Sequence, residues 1–301
     1  METITNKIKR LKKEKDAVIL AHYYVNDEVQ AIADYVGDSF YLSKVATTVS
    51  EQTICFCGVS FMGESAKILN PKKTVLLPDM TADCPMAHMV DIERIKQLKE
   101  EYEDLAVVCY INSTAEIKQH ADVCVTSSNA VKIVQKLKNQ YIYFIPDEHL
   151  GRYVAKQCPD KIFIFNDGFC HVHKSITKEN VLNAKKLCPD ALVLVHPECS
   201  TEVVELADYI GSTKGIITYA TESDKTEFII CTEMGVFYEL NQKNPDKRFY
   251  SVGHRQFCPN MKKISLEKVA ACLEQMNTEV HMEESKRIQA EAPLMKMLEL
   301  A

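Results

Sequence analysis

The sequence predicts an α/β protein built from three homologous three-layer α/β/α domains with parallel sheets, related by pseudo-threefold symmetry. Three observations predict it. First, three segments align with one another: AVILAHYYVNDEVQAIADYVGDS from Ala17, AVVCYINSTAEIKQHADVCVTSS from Ala106, and ALVLVHPECSTEVVELADYIGST from Ala191. Second, each opens on a short aliphatic run, the mark of a strand buried on both faces, then passes through a polar break into a stretch of helical length. Strands alternating with helices require right-handed crossovers and leave helices on both faces of a parallel sheet. Third, three cysteines beside Pro, Gly or His keep the repeat period. Cys84 and Cys170 stand 86 positions apart, and Cys170 and Cys258 stand 88 apart. A threefold arrangement would bring these thiols to a common point.

Within each repeat the elements follow in order. After the first strand and helix, the pair Ala-Asp opens a second short strand in ADYVGDS, ADVCVTS and ADYIGST. The small hydroxyl residues that close it are expected to cap the next helix. A further strand is read in TVLLPD, YIYFIPD and EFIICTE. At a period of about 85 residues the domains are expected at 1–83, 84–169 and 170–259. The C-terminal segment 260–301 is expected to pack on the first domain, although the helical spacing from Leu266 onward would also suit a neighbouring molecule. No Gly/Ser-rich linker separates the repeats, so close packing is expected.

The chain of 301 residues is 46% apolar and 26% charged, as an ordinary globular protein is. Its net charge of −6 gives no footprint for nucleic acid. The amino-terminal KIKRLKKEK alternates with apolar residues and reads as the solvated face of a first helix. With no signal-peptide core and no apolar run of membrane-spanning length, a cytoplasmic protein without nucleic-acid or membrane partners is expected. Twelve cysteines in that setting do not suggest a disulfide framework. Cys109, Cys124, Cys231 and Cys272 lie in apolar segments and read as small buried hydrophobes. Cys55 and Cys57 alternate along a strand, where a core face explains them. Cys158 and Cys188, each in a CPD, read as helix-terminal turns.

Cys84 in TADCPMAH, Cys170 in DGFCHVH and Cys258 in RQFCPNM remain. Three thiolates without a fourth would hold an iron–sulfur cluster with one open iron, or zinc with His171 or His173 as fourth ligand. The bland alternative is three buried thiols. Strand ends supply further groups, because ligands of open α/β sheets gather beyond the carboxyl ends of strands. The first strands end in His22 with Tyr23 and Tyr24, in Tyr110 with Asn112, and in His196 with Glu198. The second strands end at Ser39, Ser127, and Ser212 with Thr213, where hydroxyls and helix-start N–H groups suit carboxylate or phosphate. Taken singly, each is an ordinary cap or strand-end residue. Together they predict a small anionic substrate at a threefold interface.

These residues resemble a known family. HYY at 22–24, YINS at 110–113, NDGFCHVH at 166–173, HPEC at 196–199, the GSTKG turn at 211–215 and VGHRQFCPNM at 252–261 resemble quinolinate synthase of NAD biosynthesis, essentially from end to end. The resemblance implies one [4Fe–4S] cluster per chain, held by Cys84, Cys170 and Cys258. It implies condensation of iminoaspartate with dihydroxyacetone phosphate to quinolinate, and an L-aspartate-oxidising enzyme as the source of the short-lived imine. Carried over, the substrate contacts are His22, Ser39, Tyr110, Ile111, Asn112, Ser127, His196, Pro197, Glu198 and Thr213. Tyr24, His173, His196 and Glu198 are the candidate catalytic groups. Some family members carry a CxxCxxC run near the carboxyl terminus. This chain has only Cys258 there, so dithiol redox behaviour is not carried over. Another three-cysteine hydro-lyase and a zinc-stabilised scaffold are the competing readings; a periplasmic-type binding protein fits poorly without a signal peptide.

Overall fold

The computed structural model describes residues 2–253 and 256–301, so His254 and Arg255 of the VGHRQFCPNM stretch lie outside the described residues. The first sheet is built from β1 Ala17–His22, β2 Tyr35–Gly37, β3 Thr53–Cys57 and β4 Thr74–Leu76. The second holds β5 Leu105–Tyr110, β6 Val123–Val125, β7 Tyr141–Ile145 and β8 Ile162–Phe165. The third holds β9 Leu192–Val195, β10 Tyr209–Ile210, β11 Glu227–Cys231 and β12 Arg248–Ser251. All pairings among these strands are parallel, and the three sheets share one order: β2-β1-β3-β4, β6-β5-β7-β8 and β10-β9-β11-β12.

The register repeats as well as the order. Leu20 pairs with Tyr35, Val108 with Val123 and Leu194 with Tyr209, 15 positions apart each time. Ala17 with Thr53, Leu105 with Tyr141 and Leu192 with Phe228 are all 36 apart. Thr53 with Thr74, Tyr141 with Ile162 and Glu227 with Arg248 are all 21 apart. Equal lengths of chain therefore join equivalent strands in every sheet. Likeness of composition alone would not do that.

The Ala-Asp pair has a structural reason. The carboxylate of Asp34 accepts the Ile19 N–H at 2.8 Å, that of Asp122 the Val107 N–H at 2.7 Å, and that of Asp208 the Val193 N–H at 2.8 Å. The backbone N–H of each Asp returns a bond to the carbonyl of the same partner. Each Asp thus clamps the entry of a short second strand to the central first strand, with a charge-assisted bond on one side. β1 and β5 are buried at every position, which is why they read as unbroken apolar runs.

Two sequence expectations are corrected. TVLLPD is not the counterpart of YIYFIPD and EFIICTE: TVL forms the fourth strand β4, and the third strand of that repeat is TICFC. Both are short apolar runs, and periodicity alone does not order them. The hydroxyl residues after the second strands are not uniformly caps. Ser212 caps its helix by accepting the Gly215 N–H, but Asp38 is the cap beside Ser39, and Asn129 occupies the cap position near Ser127. Cys158 and Cys188 do terminate helices.

The chain's last segment crosses between sheets. Val280 N–H bonds to the Val75 carbonyl and Leu77 N–H to the Thr278 carbonyl, adding an antiparallel bridge at the β4 edge. The helix Leu266–Gln275 packs on Ile4–Glu14. The helix Glu284–Leu300 lies against both Ser60–Leu69 of the first repeat and β6 of the second. Arg287 Nη1 donates to the Ile68 carbonyl and Lys136 Nζ to the Leu300 carbonyl, so this segment ties two repeats together. No helix among the described residues is long and apolar enough to cross a membrane.

Candidate active site

The strand ends of all three sheets meet around one cavity. His22 and Tyr24 follow β1, Tyr110 and Asn112 follow β5, and His196 and Glu198 follow β9. Ser39, Ser127 and Thr213 enter from beyond the second strands. Cys84, Cys170 and Cys258, each a few residues past a fourth strand, line the same space. The fold therefore brings together the predicted cysteines, His173 and all the predicted contacts except Ile111 and Pro197. Those two are buried between lining residues and do not line the cavity themselves.

The cysteine loops are fastened from behind by carboxylates. The Cys84 N–H donates to Asp83 at 2.8 Å, the Cys170 N–H to Asp147 at 3.2 Å and the Cys258 N–H to Glu233 at 3.0 Å. Asp147 and Glu233 are fully buried at the ends of the third strands, where each also holds the backbone of the turn that follows. Sequence reading missed both. Their positions in YIYFIPD and EFIICTE mark them only once those two strands are known to be equivalent. Met86, Val172 and Met261, all buried, line the cavity just after the three cysteines.

The three thiols fit an iron–sulfur cluster by the chemistry of the donor set. All are free, and none is fully buried, unlike most of the other cysteines. Burial pushes the Cys84 thiol up to about 12 and raises Cys170 and Cys258 as well. The charge of Cys258 acts on Cys84, and that of Cys84 on Cys170, so the three are close enough to repel as thiolates. Such a trio is stable as thiolates only against compensating positive charge, which iron supplies.

His22 and His196 occupy equivalent strand ends and are locked alike. The Tyr24 N–H donates to His22 Nδ1 at 3.2 Å, and the Glu198 N–H donates to His196 Nδ1 at 3.3 Å. With Nδ1 engaged as acceptor, each neutral ring carries its proton on Nε2. His196 Nε2 reaches Ser127 Oγ at 3.2 Å. Burial holds both rings neutral, pushing each down to about 3. They are hydrogen-bond donors without charge.

Glu198 stays ionised. Burial pushes its carboxyl up, but the His173 ring, His196 and the Tyr110 hydroxyl together hold it well below the usual carboxylate range. Its Oε2 lies 2.8 Å from His173 Nδ1, and its Oε1 accepts from Tyr110 Oη at 2.5 Å. Burial, with the charge of Glu198, raises the Tyr24 and Tyr110 phenols well above their ordinary value, so both remain protonated. Thr232, another residue that sequence reading missed, bridges Tyr24 Oη and His173 Nε2 at 2.8 Å each. Asn112 Oδ1 is buried without a hydrogen-bond partner among the described residues, an acceptor left for a ligand.

The chain is similar to known proteins over nearly its whole length. The family described as quinolinate synthetase A protein matches residues 6–299. The quinolinate synthase of Caldicellulosiruptor saccharolyticus is 54% identical over 301 residues, covering 100% of this chain and 99% of the relative. That of Fusobacterium nucleatum is 54% identical over 296 residues, 98% of this chain and 99% of the relative. That of Clostridioides difficile is 51% identical over 298 residues, 99% of this chain and 98% of the relative.

Proposed function

We propose a function from one premise: the chain belongs to the quinolinate synthetase A protein family and is an enzyme. It makes quinolinate for NAD biosynthesis. The proposed reaction joins iminoaspartate to dihydroxyacetone phosphate, with release of phosphate and two molecules of water; the atoms balance without an oxidant or reductant. The observation that carries this reading is the meeting of Cys84, Cys170 and Cys258 with two neutral histidines and an ionised glutamate around one cavity.

Cys84, Cys170 and Cys258 would hold a [4Fe–4S] cluster, one per chain. A cluster so held supplies, when bound, an open iron able to act as a Lewis acid toward a substrate oxygen. The remaining work falls to the chain's own side chains. His22 and His196 donate from Nε2 to substrate oxygens without adding charge, as hydrogen-bond donors facing developing negative charge do. Ser39, Ser127 and Thr213 hold the carboxylates or the phosphate, Asn112 Oδ1 accepts from the imine or a hydroxyl, and the backbones of Ile111 and Pro197 flank these contacts. Glu198 is the general base for tautomerisation and ring closure. Its depressed carboxyl keeps it ionised at neutral pH, with His173 beside it, while the Tyr24 phenol is a proton donor. An L-aspartate-oxidising enzyme supplies the imine, and the protein works in the cytoplasm.

The test is anaerobic purification with iron, sulfide and zinc analysis, followed by a quinolinate assay with dihydroxyacetone phosphate and freshly generated iminoaspartate. About four irons per chain, lost in Cys170→Ala, with quinolinate formed, is the expected result. Cys170, His173 and Glu198 each bring one ligand atom within 4.8 Å of the others, a set that zinc would also take. Stoichiometric zinc and no quinolinate would favour that second reading. In Glu198→Gln, turnover within about threefold of wild type at unchanged iron content would remove Glu198 as the base.

A further inference from the structure

Six strands form the edges of the three sheets: β2 and β4, β6 and β8, β10 and β12. An edge strand offers unpaired N–H and C=O groups to whatever comes alongside, and folded proteins guard such edges by shortness, charge or cover. β2, β6 and β10 have only three, three and two residues. β4 is covered by the chain's own segment 278–280. β12 has exposed polar ends, Arg248 and Ser251. Among the described residues β8 has none of these protections. Its four residues, Ile162–Phe165, are all apolar and none is buried, with Ile162 48% exposed. We propose that β8 is a dimerisation edge, pairing antiparallel with β8 of a second copy of this chain about a twofold axis at Ile164 and joining two four-stranded sheets into one.

The backbone sets which registers are open. The Ile162 N–H donates to the Gln140 carbonyl and the Asn166 N–H to the Phe144 carbonyl, so the even-numbered residues of this stretch face β7. Successive residues turn their backbone groups to opposite sides, which leaves those of Phe163 and Phe165 facing outward. An antiparallel partner exchanges bonds with outward-facing residues only. Phe163 can therefore oppose Phe163, Phe165 can oppose Phe165, or Phe163 can oppose Phe165 of the second copy. The last register centres the twofold on Ile164 and uses both outward residues of each copy. Side chains favour it too. Residues 161, 163, 165 and 167 alternate onto one face in the order Lys, Phe, Phe, Asp. Lys161 reaches Leu137 and Arg152 covers Phe165 from two helices that pack together, Ala130–Lys136 and Glu148–Gln157, as a shared face requires. Reversed, the order is Asp, Phe, Phe, Lys, so each Lys161 meets Asp167 of the second copy and the phenyl rings meet across the seam, pairings that stabilise sheets. The other registers set Lys161 against Phe165, or Phe163 against Asp167. Asp167 is exposed and makes no ion pair among the described residues, and Lys161 gives one ammonium proton to the Leu137 carbonyl at 2.8 Å and keeps two. A contact of this kind is self-complementary and closes at two copies.

This interface is independent of the chemistry assigned to the cavity. The test compares anaerobically purified wild type, Lys161→Asp, Asp167→Lys and the double exchange of both by analytical ultracentrifugation, with iron content and thermal melting recorded for each. Wild type at about 50 µM is expected at twice the chain mass of 34.2 kDa, dissociating on dilution. Each single change sets like charges opposite each other at both ends of the seam and should weaken dimerisation by about tenfold or more. The double exchange restores both attractive pairs and should return the dissociation constant to within about threefold of wild type. Hydrogen exchange at the Phe163 and Phe165 amides should be slow in the wild-type dimer and faster in either single variant. A monomeric wild type, an assembly larger than two, or a dimer that the single changes leave as tight as before overturns the proposal. Protected Phe163 and Phe165 amides in a monomeric wild type would overturn it in favour of cover by the chain's own residues. Should a single variant lose iron or melt early, Ile162→Lys puts a charge at an exposed position of the same edge; a dimer as tight as wild type in that variant overturns the proposal.

Discussion

Neutral buried imidazoles at His22 and His196 make a prediction about acid stability whose sign and size follow from linkage. In the folded protein each ring titrates near 3, because burial disfavours its charged form. In the unfolded chain each titrates near its ordinary value of about 6.5. Above about pH 6.5 both states hold neutral rings, and the pair contributes no slope. Between about 6.5 and 3 the unfolded chain takes up protons that the folded chain refuses, so stability falls as pH falls. Below about 3 both states are protonated and the loss levels off. At about pH 5.5 each ring has withdrawn about 1.4 kcal/mol, and the pair about 3 kcal/mol. That figure is set by the unfolded value and hardly changes if the folded value moves by a unit.

The assay is denaturant unfolding followed by tyrosine fluorescence, since the chain has no tryptophan. It compares wild type with the His22→Gln, His196→Gln double variant, at matched iron content, near pH 7.5 and near pH 5.5. Between those conditions wild type is expected to lose about 3 kcal/mol more than the double variant. Burial also depresses His120, His149 and His171, but these are common to both proteins and cancel. Equal losses in the two proteins would refute the reasoning, for they would mean that the rings are charged in the folded state. The catalytic counterpart would fall with it, because a charged imidazole at either site would titrate within the working range.

Glu233→Ala leaves the N–H groups of Cys258 and Gly235 without their acceptor, at about 1–3 kcal/mol each. Iron per chain and melting temperature should both fall, and wild-type values for both would dismiss the anchoring role. Tyr24→Phe keeps the ring edge-on to His22 at 4.5 Å but removes the hydroxyl between Thr213 and Thr232; kcat should drop about 10- to 100-fold at full iron content, read by single-turnover assay. Gly235→Ala would set its Cβ 2.6 Å from the Tyr23 carbonyl and 2.8 Å from Tyr24 Cα. That should cost about 1–3 kcal/mol in denaturant unfolding and reduce turnover through displaced Tyr24.

The parts of this fold that show in the sequence are those fixed by local chemistry repeated three times. β1 and β5 read as strands because burial on both faces leaves no polar position to break the run. Asp34, Asp122 and Asp208 recur because each makes the same bond to a first strand. Cys84, Cys170 and Cys258 stand out because the repeat period isolates them from nine cysteines of other kinds. What stays hidden depends on distance in space. Thr232 is one more threonine after a strand until Tyr24 and His173, 208 and 59 positions away, close on it from two sides. The third strand of the first repeat was misplaced because TICFC and TVL differ little in pattern, and only pairing to β1 distinguishes them.

The repeats are alike where the site needs likeness and differ where it needs difference. Three thiols must meet, so each cysteine loop has its backbone N–H fastened by a carboxylate. The second and third repeats do this from the end of the third strand, with Asp147 and Glu233 standing 23 and 25 positions before their cysteines. In the first repeat the corresponding place, two residues past β3, is held by Val59, which has no side-chain acceptor. Instead, Asp83 accepts from its neighbour Cys84 and from the Ser60 hydroxyl. The requirement is met by another route, which argues that it is the fastened N–H, and not the acidic residue at the strand end, that the site demands. The asymmetric substrate proposed above would make the opposite demand on the first-strand ends. There the first and third repeats place locked imidazoles, while the second places a phenol that donates to Glu198. Two neutral donors and one donor committed to the carboxylate can tell apart the ends of a molecule that three identical groups could not.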